Sequence, residues 1–334
     1  MIRTAVIGLS KAGYEHARAY KTDALAELVG VCDHDSVRAE EVAAQMGVPA
    51  FSTYADLIAA AKPDLCTVYS GLPAEIRALL DAGVHVLSSL PFARDMRQAL
   101  ELMETARRKN VILCADFHPR FTPAVAQARR WLAEGKIGTP LFVNLNLWTA
   151  WDDGVSAQGE ESADPYALFR TLGAHGVDMM RHFCGDVARV YCVAVKAPGR
   201  ATWSSAQVNM QFADGTVGTL TASRDMVPHH PMARCEVAGT KARFVIDNVY
   251  EEATLYVHDE EEKRVVTNSI FGGIAQLRET YARRIHQLLV HLNEGGAPEE
   301  CEGGARDALA AGATMEAAIE ALESDSVAEV RAAW

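Results

Sequence analysis

At 334 residues the chain is long enough for two domains, or one large one, with ample core-forming capacity. A hydrophobic content of 49% and a charged content of 23% are those of a soluble globular protein. The net charge of −12 argues against nucleic acid or an anionic membrane as partner, but it leaves room for a small substrate held by a few arginines.

The first strand, residues 2–7, is short and β-branched (I-R-T-A-V-I), and it breaks into Gly8-Leu9-Ser10-Lys11-Ala12-Gly13 before a helical segment begins. Strand, glycine-bearing turn and helix is the entrance to a dinucleotide-binding βαβ unit. Gly8 allows the tight turn, the small Ser10 admits a pyrophosphate, and Gly13 lets the helix pack on the strand. The free N–H groups and partial positive charge of the helix start then face the phosphates. Lys11 meets the pyrophosphate or is a solvated turn lysine. Asp33 follows the apolar run 28–32, where an acid suits the ribose hydroxyls of NAD and repels the extra phosphate of NADP.

The first third continues as strands near 27–32, 64–69, 84–88 and 111–115, separated by helical stretches at 12–22, 36–46, 54–61, 73–82 and 93–109. This alternation predicts a doubly wound parallel sheet. Ligands bind beyond the carboxyl ends of such strands. That rule selects Gly8–Gly13, Asp33, Ser70–Pro73 with Gly71, Ser88–Phe92 with Ser89 and Pro91, and Asp116–Arg120.

From residue 121 the rhythm changes. A helix at 123–134 precedes a strand at 141–149, a polar loop at 152–164 and a helix at 165–184. Strands follow at 187–197, 206–213, 216–223, 232–239, 243–247, 253–257 and 263–267, with a hairpin signal at Asp214-Gly215. Helices at 274–294 and 303–323 end the chain. The fold class is α/β: a Rossmann domain over 1–120, then a C-terminal α+β domain over 121–334 with a large, mostly antiparallel open sheet. The seven cysteines are scattered with no C-x-x-C pair and read as buried, reduced thiols. The chain opens on a strand rather than a basic leader, and no stretch is long enough to cross a bilayer, so a cytoplasmic protein is expected.

Four stretches together resemble the Gfo/Idh/MocA family, named for glucose-fructose oxidoreductase and inositol dehydrogenase. They are Ala5–His16 with Asp33; Gly83–Pro91, similar to G-K-H-V-L-x-E-K-P; Asp116–Pro123, similar to G-F-x-x-R-F-x-P; and Gly173–Asp178, similar to G-x-H-x-x-D. The resemblance spans essentially the whole chain. It implies NAD as cofactor, a sugar, cyclitol or related polyol as substrate, and a homo-oligomer, dimer or tetramer, joined through the C-terminal sheet. The departures are as informative. The family lysine of E-K-P is Leu90 and its glutamate is Ser89. The aspartate four residues before the histidine is Thr171, and Glu75 stands where T-P-N-x-x-H has its histidine.

A histidine suits a base at neutral pH, since its unperturbed pKa is about 6.5. Thr171, His175, Asp178 and His182 share one helical stripe, so His175 becomes the candidate acid/base with Asp178 to orient it. The same stripe reads equally as a structural seam against the loop 152–164, and no metal site is expected from it. His118 lies at the end of the last Rossmann strand and is a second catalytic candidate or a turn histidine. Trp148, Trp151, Tyr166 and Arg170, with Leu90, flank the expected substrate side, although tryptophans also serve as core. His229-His230 reads as a surface pair. An NAD-dependent oxidoreductase with a divergent site fits these residues. So do an NAD-using lyase, hydrolase or epimerase-like enzyme with no net redox, and a catalytically inert NAD-binding or regulatory protein.

Overall fold

The structure is a computed structural model, which describes residues 1–148, 164–226, 233–247, 252–267 and 277–331. In chain order the first elements are β1 (Ile2–Ile7), α1 (Lys11–Thr22), β2 (Ala26–Cys32), α2 (Ser36–Met46), β3 (Ala50–Phe51) and α3 (Tyr54–Ala61). Then come β4 (Leu65–Val68), α4 (Pro73–Asp81), β5 (His85–Ser88), α5 (Met96–Lys109) and β6 (Leu113–Ala115). Their six strands form a parallel sheet in the order β3-β2-β1-β4-β5-β6. The order reverses between β1 and β4, the switch point where such sheets open a crevice at their carboxyl ends.

Local chemistry sets these elements. Asp35 caps α2 by accepting from the N–H groups of Val37 and Arg38, and Gly47 ends it in the left-handed region. Asp95 caps α5, which closes on Arg107, Arg108 and Lys109 against its dipole and on Asn110 in the left-handed region. β3, only two residues long, has no separate signal in the sequence.

The chain continues through α6 (Pro123–Ala133), β7 (Pro140–Trp148), a π turn over Phe169–Gly173, α7 (Ala174–Cys184), β8 (Val187–Val195), β9 (Ser205–Phe212) and β10 (Val217–Ser223). Next are β11 (Ala233–Gly239), β12 (Ala242–Asp247), β13 (Glu252–Val257), β14 (Lys263–Thr267), α8 (Leu277–Asn293), α9 (Ala305–Ser324) and β15 (Ala328–Glu329). Nine of these strands make a second sheet in the order β14-β13-β12-β11-β7-β10-β9-β8-β15. All its pairs are antiparallel except β7 with β10. The Asp214-Gly215 hairpin is present, with Gln211 opposite Val217 across the β9–β10 turn.

The contacts divide the chain into two units, residues 1–118 with 277–309, and 119–276 with 310–333. The expected boundary at 120/121 falls two residues late, and the tail differs more. α8 belongs with the parallel sheet because its apolar face, Tyr281, Ile285, Leu288 and Leu289, is buried, three of these four within the core cluster that holds Ala17 and Tyr20 of α1. Among the described residues, no helix is long and apolar enough to cross a membrane.

Candidate functional site

The turn after β1 is built for close backbone approach. Gly8 has φ +84°, and a Cβ there would lie 2.4 Å from the Ser70 nitrogen. A Cβ on Gly13 would lie 1.9 Å from the Gly8 carbonyl oxygen, so only glycine fits either position. Ser10 stands at the N-cap of α1 but makes no side-chain cap bond, and the first turn carries no acid. α2, α3, α5 and α6 are each capped by a side chain, from Asp35, Thr53, Asp95 and Thr122. The start of α1 thus keeps its positive end without a capping oxygen, which suits a pyrophosphate. Leu9 is buried, and Lys11 is exposed beside Ala12 at the helix start.

Asp33 is fixed beside this turn. Its Oδ2 accepts from Leu9 N–H at 2.6 Å and its Oδ1 from Asp35 N–H at 2.9 Å. A carboxylate held there accepts from the paired hydroxyls of a ribose and opposes a phosphate. Arg38 Nη1 lies 3.8 Å from Asp33 Oδ2. Beyond β4, the Ser70 hydroxyl bonds the Glu75 carboxylate, which also meets His34 Nε2 at 3.2 Å. Burial pushes the Glu75 carboxyl up, with Ser70 and His34 opposing the shift. Glu75 therefore ties the β4 loop to the residue following Asp33. Gly71 adopts φ +72°, and Leu90-Pro91 is a cis peptide after β5, with Ser89 N–H on the Val68 carbonyl at 3.0 Å. Gly8, Gly13, Asp33, Ser70, Gly71, Ser89 and Pro91 are thus brought to one end of the parallel sheet, as the strand alternation implies.

A second cluster at the same end is only half visible in the sequence. Asp116, directly after β6, is 2% exposed. Its Oδ2 accepts from the Tyr69 hydroxyl at 2.5 Å and lies 3.3 Å from His16 Nε2 and 3.4 Å from His118 Nδ1. The rings of His16 and His118 both pack on Tyr281, at 4.9 and 4.6 Å between centroids. Burial works against ionisation of Asp116, but His118 and His16 outweigh it and hold the carboxyl well below the usual range. Burial, then Asp116 and Tyr281, push the Tyr69 hydroxyl well up. His118 is a candidate from sequence, and the signal for Tyr69 and Asp116 is their position just past β4 and β6. Tyr281 carries none, because α8 reaches this cluster only through packing.

The second unit holds the remaining candidates. Both oxygens of Asp178 are held by Arg120, Oδ2 by Nε at 2.7 Å and Oδ1 by Nη2. Asp178, expected to orient His175, and Arg120, expected at the cofactor, are thus paired with each other. Thr171 Oγ1 donates to the Ala167 carbonyl at 2.7 Å and accepts from Arg224 Nη2. The π turn over Phe169–Gly173 inserts a residue relative to α-helical spacing, so Thr171 leaves the stripe expected of 165–184. Half-buried His175 sits in the first turn of α7. Gly173 and Gly176 let that segment close onto its neighbours, since a Cβ would lie 2.6 Å from Met315 Sδ and 2.7 Å from Leu220 Cδ1. Tyr166 bonds Glu323, and Arg170 bonds Glu316 at 2.8 Å and Asp164 at 2.8 Å, which binds both expected substrate residues into a network with α9. Trp148 ends β7, half-buried. Trp151 and the His229-His230 pair lie outside the described residues.

Comparison with known proteins agrees with this architecture. Residues 2–117 match the oxidoreductase family with an NAD-binding Rossmann fold, and residues 125–245 match the GFO/IDH/MocA C-terminal domain. The chain is 25% identical to myo-inositol 2-dehydrogenase of Thermotoga maritima, over 98% of this chain and 99% of the relative. It is 29% identical to UDP-N-acetylglucosamine 3-dehydrogenase of Acidithiobacillus ferrooxidans, over 71% of each. An oxidoreductase from Agrobacterium radiobacter, solved with NAD+, L-tartaric acid and magnesium, superposes with a TM-score of 0.85 at 19% identity, covering 98% of each chain. At that identity the likeness concerns the fold.

Proposed function

Because the chain belongs to the Gfo/Idh/MocA family of oxidoreductases, we propose that it oxidises a secondary hydroxyl of a sugar, cyclitol or related polyol with NAD+ as the acceptor. The observation that carries this reading is the cradle of Gly8, Gly13 and the start of α1 beside the fixed Asp33 carboxylate. Bound there, NAD+ supplies the hydride acceptor. The chain's own residues must then take the hydroxyl proton, a task worth about 10²–10⁴-fold in rate when well positioned. Leu90 cannot do so. His175 is the acceptor implied by the family pattern. His118 is the alternative that the geometry favours, because Asp116 fixes its ring, with the Asp116 backbone carbonyl 3.2 Å and its carboxylate 3.4 Å from Nδ1. Asp33 sets the choice of NAD over NADP.

The test is NADH formation by purified protein with NAD+ across a panel of inositols, aldoses and sugar nucleotides, beside calorimetric NAD+ binding. Turnover of at least one polyol is expected, with binding retained but turnover lost in His118→Gln or His175→Ala, whichever carries the proton. NAD+ binding without NADH from any member of the panel refutes it. Leu90 and Thr171, in place of lysine and aspartate, favour one second reading, a reaction with no net redox. Its mark is product formed without accumulated NADH.

The nine-stranded sheet supports a further part of the proposal. Val193 and Val195 of β8 and Val217 of β10 are large apolar residues that remain exposed. They stand opposite Gln207, Ser205 and Gln211 of β9, alternate positions of one strand, so all three share one face of the sheet. We assign this face to pairing with a second copy of the chain, as a dimer or tetramer. Val217→Asp is then expected to lower the mass measured by light scattering, and an unchanged mass removes the assignment.

A further inference from the structure

Two of the seven cysteines converge at the edge of the parallel sheet. β6 is the edge strand, and residues 301–304 run along it before α9 begins. Ala115 N–H donates to the Gly303 carbonyl at 3.0 Å, and Cys114 and Gly304 form an antiparallel bridge. This places Cys114 and Cys301 in one buried cluster. Arg284 of α8, 1% exposed, donates from Nη2 to the Ala115 carbonyl at 3.4 Å.

We propose that Cys114 and Cys301 are an oxidisable dithiol, a modification site at which hydrogen peroxide converts the pair to a disulfide that joins strand β6 to the segment entering α9. Cys301 is the attacking member. It is 7% exposed against 0% for Cys114, so the peroxide reaches it first. The neighbouring Cys114 thiol, opposed by burial and aided by Arg284 and His291, lowers the Cys301 thiol to about 6. Burial pushes Cys114 well up, which makes it the resolving partner. The Cys301 thiolate attacks one peroxide oxygen and the O–O bond breaks. Cys301 becomes a sulfenic acid, and the departing oxygen leaves as hydroxide, which takes a proton to give water. The Cys114 sulfur then loses its proton and attacks the Cys301 sulfur. The S–S bond forms, the S–O bond breaks and a second water leaves. Two thiols are oxidised by two electrons and one peroxide is reduced to two waters.

The other five cysteines differ in kind. Burial pushes Cys32, Cys184 and Cys192 up to about 12 and raises Cys66 and Cys235 well above the usual thiol value, so their thiols stay protonated and inert.

The experiment exposes the native full-length chain briefly to dilute hydrogen peroxide, quenches it in acid, blocks remaining thiols in denaturant and maps the peptides without reduction. One cross-linked pair joining the Cys114 and Cys301 peptides is expected, reversible by dithiothreitol, with the other five cysteines alkylated. In Cys114→Ser the reaction should stop at a Cys301 sulfenic acid that dimedone captures. Without peroxide, iodoacetamide at neutral pH should modify Cys301 at least about tenfold faster than any other cysteine. A chain that stays fully reduced, oxidation elsewhere at a similar rate, or wild-type Cys301 accumulating as sulfinic acid while Cys114 remains free would each overturn the proposal.

Discussion

Replacing Arg120 by alanine strands the Asp178 carboxylate, and the structure sets the size of the loss. The two side chains are 5% and 2% exposed and meet through two parallel bonds. Removing one partner of a buried pair leaves an uncompensated charge and costs about 3–5 kcal/mol. By contrast Arg97 and Glu101, 77% and 48% exposed on one face of α5, form a pair worth about 0.3–0.5 kcal/mol. Arg120→Ala should therefore lower the urea midpoint by roughly 1.5–2.5 M at an m-value of about 2 kcal/mol/M, whereas Arg97→Ala should leave it nearly unchanged. Tryptophan fluorescence is the suitable probe, because Trp131, Trp148 and Trp203 all fall within 119–276 of the second unit. Arg120→Met combined with Asp178→Leu, which removes both charges and keeps the volume, should recover most of the loss. A cost below about 1 kcal/mol for Arg120→Ala, or a double variant no better than the single, would refute the reasoning.

Gly13→Ala should weaken NAD+ binding at least tenfold, about 1.4 kcal/mol by calorimetry, since the added methyl lies 1.9 Å from the Gly8 oxygen. Asp33→Asn should shift preference toward NADP+, because it removes the opposing charge and leaves Arg38 alongside; unchanged relative affinities would dismiss that role. Asp116 ionises more readily in the folded chain than in the unfolded one. Its contribution is therefore fully present above the unfolded carboxylate value of about 3.9 and is lost as pH falls through the lower folded value. Asp116→Asn should be less stable than wild type at neutral pH, and the gap should narrow as pH drops below about 4. A gap independent of pH would contradict the pairing with His16 and His118.

Much of this molecule is written in short-range signals. The alternation of apolar runs and helical stretches specifies the parallel sheet, because each βαβ unit buries its own faces and is punctuated by its own caps. Gly8, Gly13 and Asp33 specify the turn after β1, since a tight turn and a helix start are decided by a few neighbouring residues. The hairpin at Asp214-Gly215 is legible for the same reason. What the sequence hides is less local. The helix expected over 165–184 contains a π turn, which moves Thr171 off the stripe.

Tertiary structure alone decided the pairings. Arg120 and Asp178 lie 58 positions apart, so no local signal joins them; burial of both charges does. The Tyr69–Asp116 bond spans 47 positions and exists because β4 and β6 end at the same side of one sheet. α8 carries Tyr281 and Arg284 to that sheet after a whole second unit has intervened, and residues 301–304 bring Cys301 to Cys114. The sequence by itself thus determined the turn after β1 and the fold class, which rest on local turns and periodicity. Which charges, rings and thiols meet was decided only when distant elements competed to bury the same apolar faces, because the energy of those contacts belongs to the packed chain and not to any segment of it.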